Sequence, residues 1–149
     1  MKRTASAIWK GSLKTGKGEL TTASGVLKAT PYSFSTRFEG TPGTNPEELI
    51  AAAHSGCFAM ALSGALGKWK YEPKKLEVTA EVSLDQDGEG WSVTHSRLTL
   101  KADIPGINKE TFLEIAEDAK NNCPVSKLLT AEISLDAELV SAPDLDATI

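Results

Sequence analysis

Cysteine, histidine and net positive charge are scarce in this sequence, and each scarcity excludes a class of protein. The 149 residues include 2 cysteines, Cys57 and Cys123, which are too few for a disulfide-rich scaffold or an all-cysteine zinc site. The 16 Lys and Arg residues against 20 Asp and Glu residues give a formal net charge of −4, which argues against a nucleic-acid-binding surface. Two thiols still suffice for one redox couple.

Long apolar segments are few as well. No apolar run of signal-peptide length precedes Lys10, and the one long run occupies residues 49–66. Because that run contains His54, Ser55 and Ser63, its polarity favours a buried core helix over a membrane span. We therefore expect a cytoplasmic, reducing location and no association with a membrane.

The length and composition suit a single domain, residues 1–149, with residues 141–149 as a loose polar tail. The hydrophobic pattern predicts short strands, a helix, a hairpin, a second helix and a final strand. This order indicates the α+β class with a mainly antiparallel sheet.

The first part of the chain, residues 4–38, is interpreted as short strands separated by turns. At its end Phe34 and Phe38 alternate with polar residues. A strand there would place Arg37 on the face opposite the two phenylalanines.

A long helix is predicted next, and its ends are marked by the residues at its termini. Asn45 suits the N-cap, Pro46 the first helical position and Glu48 the acidic position of a capping box. Gly67 suits the end of the helix. The segment is apolar nearly all round, which is typical of a helix surrounded by protein.

The rest of the chain predicts a hairpin, a helix and a strand. Alternating apolar residues predict strands at 76–84 and 91–102, and a shift of phase near 95–97 predicts a β-bulge. A helix capped by Asn108 should reach Asn121 before a proline interrupts the chain, and the last strand should cover 133–139. The buried stripe of this helix is predicted to be Phe112, Ile115, Ala116 and Ala119.

Cys57 lies eleven residues into the first helix, ~16 Å from its start. The helix dipole acts within the first turn, so it does not acidify this thiol, and apolar surroundings raise its pKa. A reactive Cys57 therefore needs a cation from elsewhere in the protein. The alternative is an inert, buried cysteine.

Cys123 precedes Pro124, and a residue before proline is pushed away from helical geometry. Cys123 thus lies at a break in the helix, where it could move toward another sulfur. A disulfide requires the two Cα atoms to come within ~7 Å. The alternative is a cysteine that only fills space at the helix end.

His54 and Glu47 share the long helix with Cys57. His54, three residues earlier, lies on the same face and permits a thiol–imidazole pair or two metal ligands, although a hydrogen-bonded core histidine is the commoner case. Glu47 lies in the first turn, where acids stabilise the helix, and is ~15 Å from Cys57 along the axis. The two could share a site only if Arg37 bridged them or if Glu47 came from a second subunit.

Four stretches of the sequence resemble a known family. They read FSTRFEG at 34–40, GTNPEEL at 43–49, AAAHSGCF at 51–58 and NCPVSK at 122–127. These stretches resemble the OsmC (osmotically inducible protein C) peroxidases of the OsmC/Ohr family of organic hydroperoxide reductases. The resemblance extends from Trp9 to Leu139, and its TRFEG stretch points to the OsmC branch rather than the Ohr branch.

The resemblance implies a role for four residues. Cys57 matches the peroxidatic cysteine, and Cys123 matches the resolving cysteine. Arg37 matches the arginine that activates the thiolate, and Glu47 matches the acid that holds this arginine. The resemblance also implies an OsmC-like fold and an intertwined homodimer with two active sites at the subunit interface.

The implied function is that of a thiol peroxidase that uses no cofactor and no metal. Cys57 would form a sulfenic acid, Cys123 would close a disulfide, and an external dithiol such as a lipoylated protein would reduce it. Organic hydroperoxides are expected as better substrates than hydrogen peroxide because of four apolar residues near Cys57 in the sequence: Leu49, Ile50, Phe58 and Met60.

Two other functions stay open from the residues alone. A thiol hydrolase built on Cys57 and His54 predicts ester or thioester hydrolysis that depends on His54, whereas the peroxidase predicts little dependence on it. A non-enzymatic, dimeric small-molecule-binding stress protein predicts slow alkylation of Cys57 and no disulfide after peroxide treatment.

Overall fold

Two three-stranded sheets and four helices form the fold of residues 1–140, which are the residues described by this computed structural model. The α+β class predicted from the sequence is confirmed, and the predicted tail at 141–149 lies outside the described residues. The chain divides into two compact units, residues 1–49 and the residues from Ile50 onward. The elements are β1 (Ala5–Lys10), β2 (Lys17–Thr22), β3 (Thr30–Tyr32), α1 (Phe34–Phe38), α2 (Pro46–Lys68), β4 (Lys75–Asp87), β5 (Gly90–Asp103), α3 (Lys109–Asn122), α4 (Pro124–Leu128) and β6 (Glu132–Leu139).

The N-terminal unit is built on the antiparallel sheet β1-β2-β3. Gly18 of β2 lies opposite both Trp9 and Tyr32, whose ring centroids are 5.6 Å apart. A Cβ atom at Gly18 would collide with both rings. Glycine is therefore required where the two aromatic rings converge over the strand.

The segment at Phe34 and Phe38 is a short helix, α1, so the strand predicted there is wrong. Ser33 and Thr36 form a capping box: the Ser33 hydroxyl accepts from the Thr36 N–H at 3.3 Å, and the Thr36 hydroxyl accepts from the Ser33 N–H at 2.9 Å. The two phenylalanines then lie one helical turn apart, with ring centroids 4.8 Å apart. Arg37, predicted on the opposite face, instead has its guanidinium over the Phe38 ring, 5.2 Å from the centroid.

The start of α2 confirms the predicted cap. The Asn45 side-chain oxygen accepts from the Glu48 N–H at 2.8 Å, and Pro46 is the first helical residue. The Glu48 carboxylate accepts a hydrogen bond from the Thr44 hydroxyl at 3.1 Å. The Asn45 amide also donates to the Thr36 carbonyl at 3.2 Å, which fixes the helix start to α1.

The end of α2 lies beyond the predicted stop at Gly67. Lys70 adopts a left-handed backbone with φ of 63°, and its N–H donates to the Gly67 carbonyl at 3.0 Å. The Tyr71 N–H donates to the Leu66 carbonyl at 2.9 Å. These two hydrogen bonds form a Schellman motif, in which a lysine occupies the position that usually favours glycine.

Within its own chain α2 buries one face rather than its whole surface. His54, Phe58, Leu62 and Leu66 recur every four residues and are fully buried, whereas Met60 is 80% exposed. The prediction of a helix surrounded by protein therefore holds on one face only. By length and mean hydropathy α2 also meets the criteria for a membrane span, a test that the core helix of a soluble protein passes as well.

The second sheet is mixed rather than purely antiparallel. β4 and β5 form the predicted antiparallel hairpin, and β6 adds in parallel to β5. Ser83 pairs with His95 and Leu84 pairs with Val93, so Thr94 is the extra residue of a bulge just before the predicted stretch 95–97.

Helix α3 packs the core of this second unit as predicted. The Asn108 side-chain oxygen accepts from the Thr111 N–H at 2.8 Å and caps the helix. The residues in the core are those of the predicted stripe, packed with α2 and β5: Phe112, Ile115, Ala116 and Ala119. The helix ends at Asn122, and α4 begins at Pro124, as expected for a proline-induced break.

Candidate active site

The two cysteines lie together in the second unit. Cys57 lies in the middle of α2, beside the fully buried Phe58, and is partly buried. Cys123 is fully buried and lies between α3 and α4. Both thiols are free, and their side chains are hydrogen-bonded to each other. The fold thus brings together two thiols that the sequence placed on separate helices.

The pKa of the Cys57 thiol is raised, as the sequence argument predicted. Burial raises this pKa first, and the hydrogen bond with Cys123 raises it further, whereas the Val125 N–H lowers it. Neither of these groups is a cation. A thiolate at Cys57 therefore needs a positive charge beyond the groups that act on it within this unit.

The pKa of Cys123 moves in the other direction. Burial pushes this pKa upward, but the Cys57 thiol and the polar groups of Ser126 and Val125 outweigh burial and hold it below its ordinary value. Cys123 forms no side-chain capping hydrogen bond at the start of α4, so Ser126 and Val125 act on its sulfur as nearby dipoles. In the reduced pair the opposite directions of the two pKa shifts favour negative charge on Cys123 over Cys57.

Arg37 and Glu47 form an ion pair in the N-terminal unit. Arg37 Nη2 donates to Glu47 Oε1 at 2.7 Å, and Arg37 Nε lies 3.2 Å from both carboxylate oxygens. The Glu47 side chain is 11% exposed and that of Arg37 is 36% exposed. Two donors of one guanidinium thus hold one carboxylate, an arrangement that fixes the direction of the arginine.

An apolar hollow of about 270 Å³ adjoins this arginine. It is lined by residues of the N-terminal unit: Trp9, Leu13, Tyr32, Ser33, Phe34, Arg37 and Phe38. Sequence reasoning looked for apolar surroundings beside Cys57 and missed this hollow, because its residues come together only through the sheet and α1. Of the residues named for the Cys57 surroundings, Phe58 belongs to the core and Met60 is 80% exposed.

His54 is fully buried, and both of its ring nitrogens are engaged by serines. Nδ1 lies 2.6 Å from the Ser96 hydroxyl, and Nε2 lies 2.8 Å from the Ser126 hydroxyl. Burial lowers the pKa of His54 below its ordinary value, so the ring is neutral at pH 7. Because neither nitrogen is directed at Cys57, this geometry argues against a Cys57–His54 hydrolase pair.

The remaining histidine takes part in the second sheet. His95 on β5 lies 2.8 Å, through Nε2, from the Ser134 hydroxyl on β6. Within residues 1–140 no three His, Cys, Asp or Glu side chains converge in a way that could hold a metal ion.

The sequence is similar to a known protein family and to named bacterial proteins. Residues 38–138 match the family model described as OsmC-like protein. The Peroxiredoxin OsmC of Escherichia coli K12 is 51% identical over 135 residues, covering 91% of this chain and 94% of that protein. The Organic hydroperoxide resistance protein OhrB of Bacillus subtilis is 30% identical over 124 residues, covering 82% of this chain and 88% of that protein.

The fold agrees with solved structures of similar proteins. An OsmC-like protein of unknown function from Vibrio cholerae superimposes with a TM-score of 0.73 at 19% identity, over 92% of this chain and 99% of that chain. The match of the family model to most of the chain, together with the identity to the Escherichia coli protein, shows that the chain belongs to the OsmC-like family.

Proposed function

We propose that this protein is a thiol peroxidase that reduces organic hydroperoxides. The observation that carries the proposal is the hydrogen-bonded pair of free thiols, Cys57 and Cys123. The names of the relatives, a peroxiredoxin and an organic hydroperoxide resistance protein, support the same reaction class.

In the proposed first step the Cys57 thiolate attacks the terminal peroxide oxygen. The O–O bond breaks, the alkoxide takes up a proton and leaves as an alcohol, and Cys57 becomes a sulfenic acid. Arg37, held by Glu47, stabilises the thiolate and the charge that develops on the leaving oxygen. The positive charge of Arg37 would stabilise the Cys57 thiolate, which the raised pKa of Cys57 otherwise disfavours.

In the proposed second step the Cys123 thiolate attacks the Cys57 sulfenic sulfur. The S–O bond breaks, the departing hydroxide leaves as water, and a Cys57–Cys123 disulfide forms. An external dithiol, such as that of a lipoylated protein in the cytoplasm, then reduces this disulfide through two exchange reactions. The chemistry uses no cofactor.

The proposal includes a homodimer in which the two units of the chain act as one domain. The exposed face of α2, with Met60 80% exposed, is a surface that a second copy would cover. Bringing the Arg37–Glu47 pair to a Cys57 thiol at the subunit interface would complete two sites per dimer. Analytical ultracentrifugation should give twice the chain mass of 15.8 kDa, and a monomer at micromolar concentration would contradict this part.

The function is tested by peroxide consumption with a small dithiol as reductant. Organic hydroperoxides should be turned over faster than hydrogen peroxide, because the hollow beside Arg37 is apolar and suits an organic group. Equal or greater efficiency with hydrogen peroxide would contradict the substrate preference. Absence of dithiol-dependent consumption of either peroxide would contradict the function itself.

A further inference from the structure

The Ser126 hydroxyl lies between a buried histidine and the Cys123 thiol. On one side Ser126 Oγ is 2.8 Å from His54 Nε2, and on the other Ser126 acts on the Cys123 sulfur and lowers the pKa of that thiol. The chain places the two residues close together, since Cys123 is the N-cap of α4 and Ser126 is the third helical residue, one turn later. The proposed peroxide step uses neither His54 nor Ser126.

We propose that His54 is a positioning residue for disulfide formation, acting through Ser126 on the Cys123 thiolate. A serine hydroxyl has one proton and rotates freely, so Ser126 can donate that proton either to His54 Nε2 or to the Cys123 sulfur. If His54 Nε2–H donates to Ser126 Oγ, the Ser126 proton is left to donate to the Cys123 sulfur. The Ser96 hydroxyl, 2.6 Å from Nδ1, donates to that nitrogen and holds this tautomer.

This inference rests on the proposed function, since it assigns Cys123 the attack on the Cys57 sulfenic acid. The step forms one S–S bond, breaks the S–O bond of Cys57 and releases hydroxide that is protonated to water. The attacking group is the Cys123 thiolate. A Ser126 hydroxyl held toward this fully buried sulfur would increase the fraction of Cys123 that is present as thiolate. The groups that act on this sulfur are Cys57, Val125 and Ser126, none of them a fixed charge.

The hydrogen-bonded side chains of Ser96, His54 and Ser126 are shielded from water. His54 and Ser96 are fully buried and Ser126 is 9% exposed, so water does not compete for the Ser126 hydroxyl. A purely structural network would also satisfy these polar groups. The two roles differ in what they control: a structural network supports both chemical steps equally, whereas a positioning residue affects the second step alone.

The test is a single-turnover experiment that follows sulfenic acid formation and disulfide formation separately. Ser126→Ala and His54→Leu should leave sulfenic acid formation within about twofold and slow disulfide formation about tenfold or more, the effect of losing a hydrogen bond to a charged group. His54→Gln keeps an amide donor near the Nε2 position and should restore most of the rate. In a Cys57→Ser background, Ser126→Ala should raise the Cys123 pKa measured from thiolate absorbance.

The matched control is Ser134→Ala, which removes the hydroxyl bonded to the other histidine, His95, at 2.8 Å. It should alter neither step. Disulfide formation at the parental rate in Ser126→Ala would overturn the inference, as would equal slowing of both steps. If the unaltered protein forms sulfenic acid at Cys57 but no Cys123 disulfide, the inference also falls, whereas absence of any sulfenic acid would mark the failure of the proposed function.

Discussion

The Arg37–Glu47 pair and the Cys57–Cys123 pair hold charge in different ways. The first pair is ionic, with a 2.7 Å contact between a guanidinium and a carboxylate. The second pair is held by a thiol hydrogen bond, and its environment favours negative charge on Cys123 over Cys57. The reduced thiol pair alone therefore disfavours the Cys57 thiolate that the proposed first step requires.

In the proposed mechanism this difference gives each pair its own task. Burial and Cys123 raise the pKa of Cys57, so the proposal assigns the Arg37 cation the task of stabilising the Cys57 thiolate. Once Cys57 is oxidised, its S–H no longer acts on Cys123, and of the groups that lower the Cys123 pKa only Ser126 and Val125 remain to favour the thiolate that would resolve the sulfenic acid. The following variants break one pair at a time.

Cys57→Ser should have the largest effect, because it removes the atom that attacks the peroxide. We expect dithiol-dependent peroxide consumption to fall by about a thousandfold or more. Stopped-flow measurement of peroxide loss checks this, and circular dichroism confirms that the variant is folded. Substantial remaining turnover would transfer the nucleophile's role away from Cys57.

Cys123→Ser should distinguish the role of Cys57 in peroxide reduction from the role of Cys123 in disulfide formation. One equivalent of peroxide should still be consumed per chain, since Cys57 is intact, but sustained turnover should fall and Cys57 should proceed to sulfinic acid under excess peroxide. Mass spectrometry after one and after many equivalents distinguishes these products. An unchanged steady-state rate would remove Cys123 from the mechanism.

Arg37→Ala should weaken the first step by about 10-fold to 100-fold at pH 7, because the Cys57 pKa then rises toward the value set by burial. The sign of the pH effect follows: below its pKa the thiolate fraction grows tenfold per pH unit, so the variant should recover rate as pH increases. The unaltered protein should reach its plateau at lower pH. Glu47→Gln, which keeps the shape but removes the charge, should show a smaller change in the same direction.

If Arg37→Ala leaves both the Cys57 pKa and the rate of sulfenic acid formation unchanged, the ion pair has no part in activating the thiol. The comparison between the two pairs would then reduce to two unrelated structural features.

The smallest predicted effect concerns His54 and global stability. Its pKa is lowered in the folded state by burial, so the unfolded chain binds more protons below the ordinary histidine value of about 6.5. Stability should therefore fall as pH decreases through this value, by at most about 1.4 kcal/mol per pH unit for one proton. Urea denaturation of the protein and of His54→Gln from pH 7.5 to pH 5 checks this, and equal slopes for the two would contradict it.

Local signals in the sequence were sufficient to predict the helices that begin at a clear N-cap residue. Asn108 and the stripe that contains Phe112 and Ile115 predicted α3 because cap and periodicity act within one or two turns. Asn45 did the same for the start of α2. The strand predicted at α1 was wrong because the spacing of Phe34 and Phe38 fits both the period of two of a strand and the four-residue spacing of a helix.

The site was predictable only where a pattern or a resemblance pointed to single residues. The Arg37–Glu47 contact and the Cys57–Cys123 contact were expected from the resemblance, and the structure contains both. The serines that engage His54 were not predicted, since Ser96 is on β5 and Ser126 on α4. Long-range contacts between common polar residues leave no periodic signal in a single sequence.

The most direct test of the proposed mechanism is treatment of the reduced protein with one equivalent of an organic hydroperoxide, followed by peptide mapping. We predict one molecule of alcohol per chain and one disulfide, between Cys57 and Cys123. Recovery of both thiols in the free state, or oxidation at Cys123 with Cys57 unmodified, would contradict it.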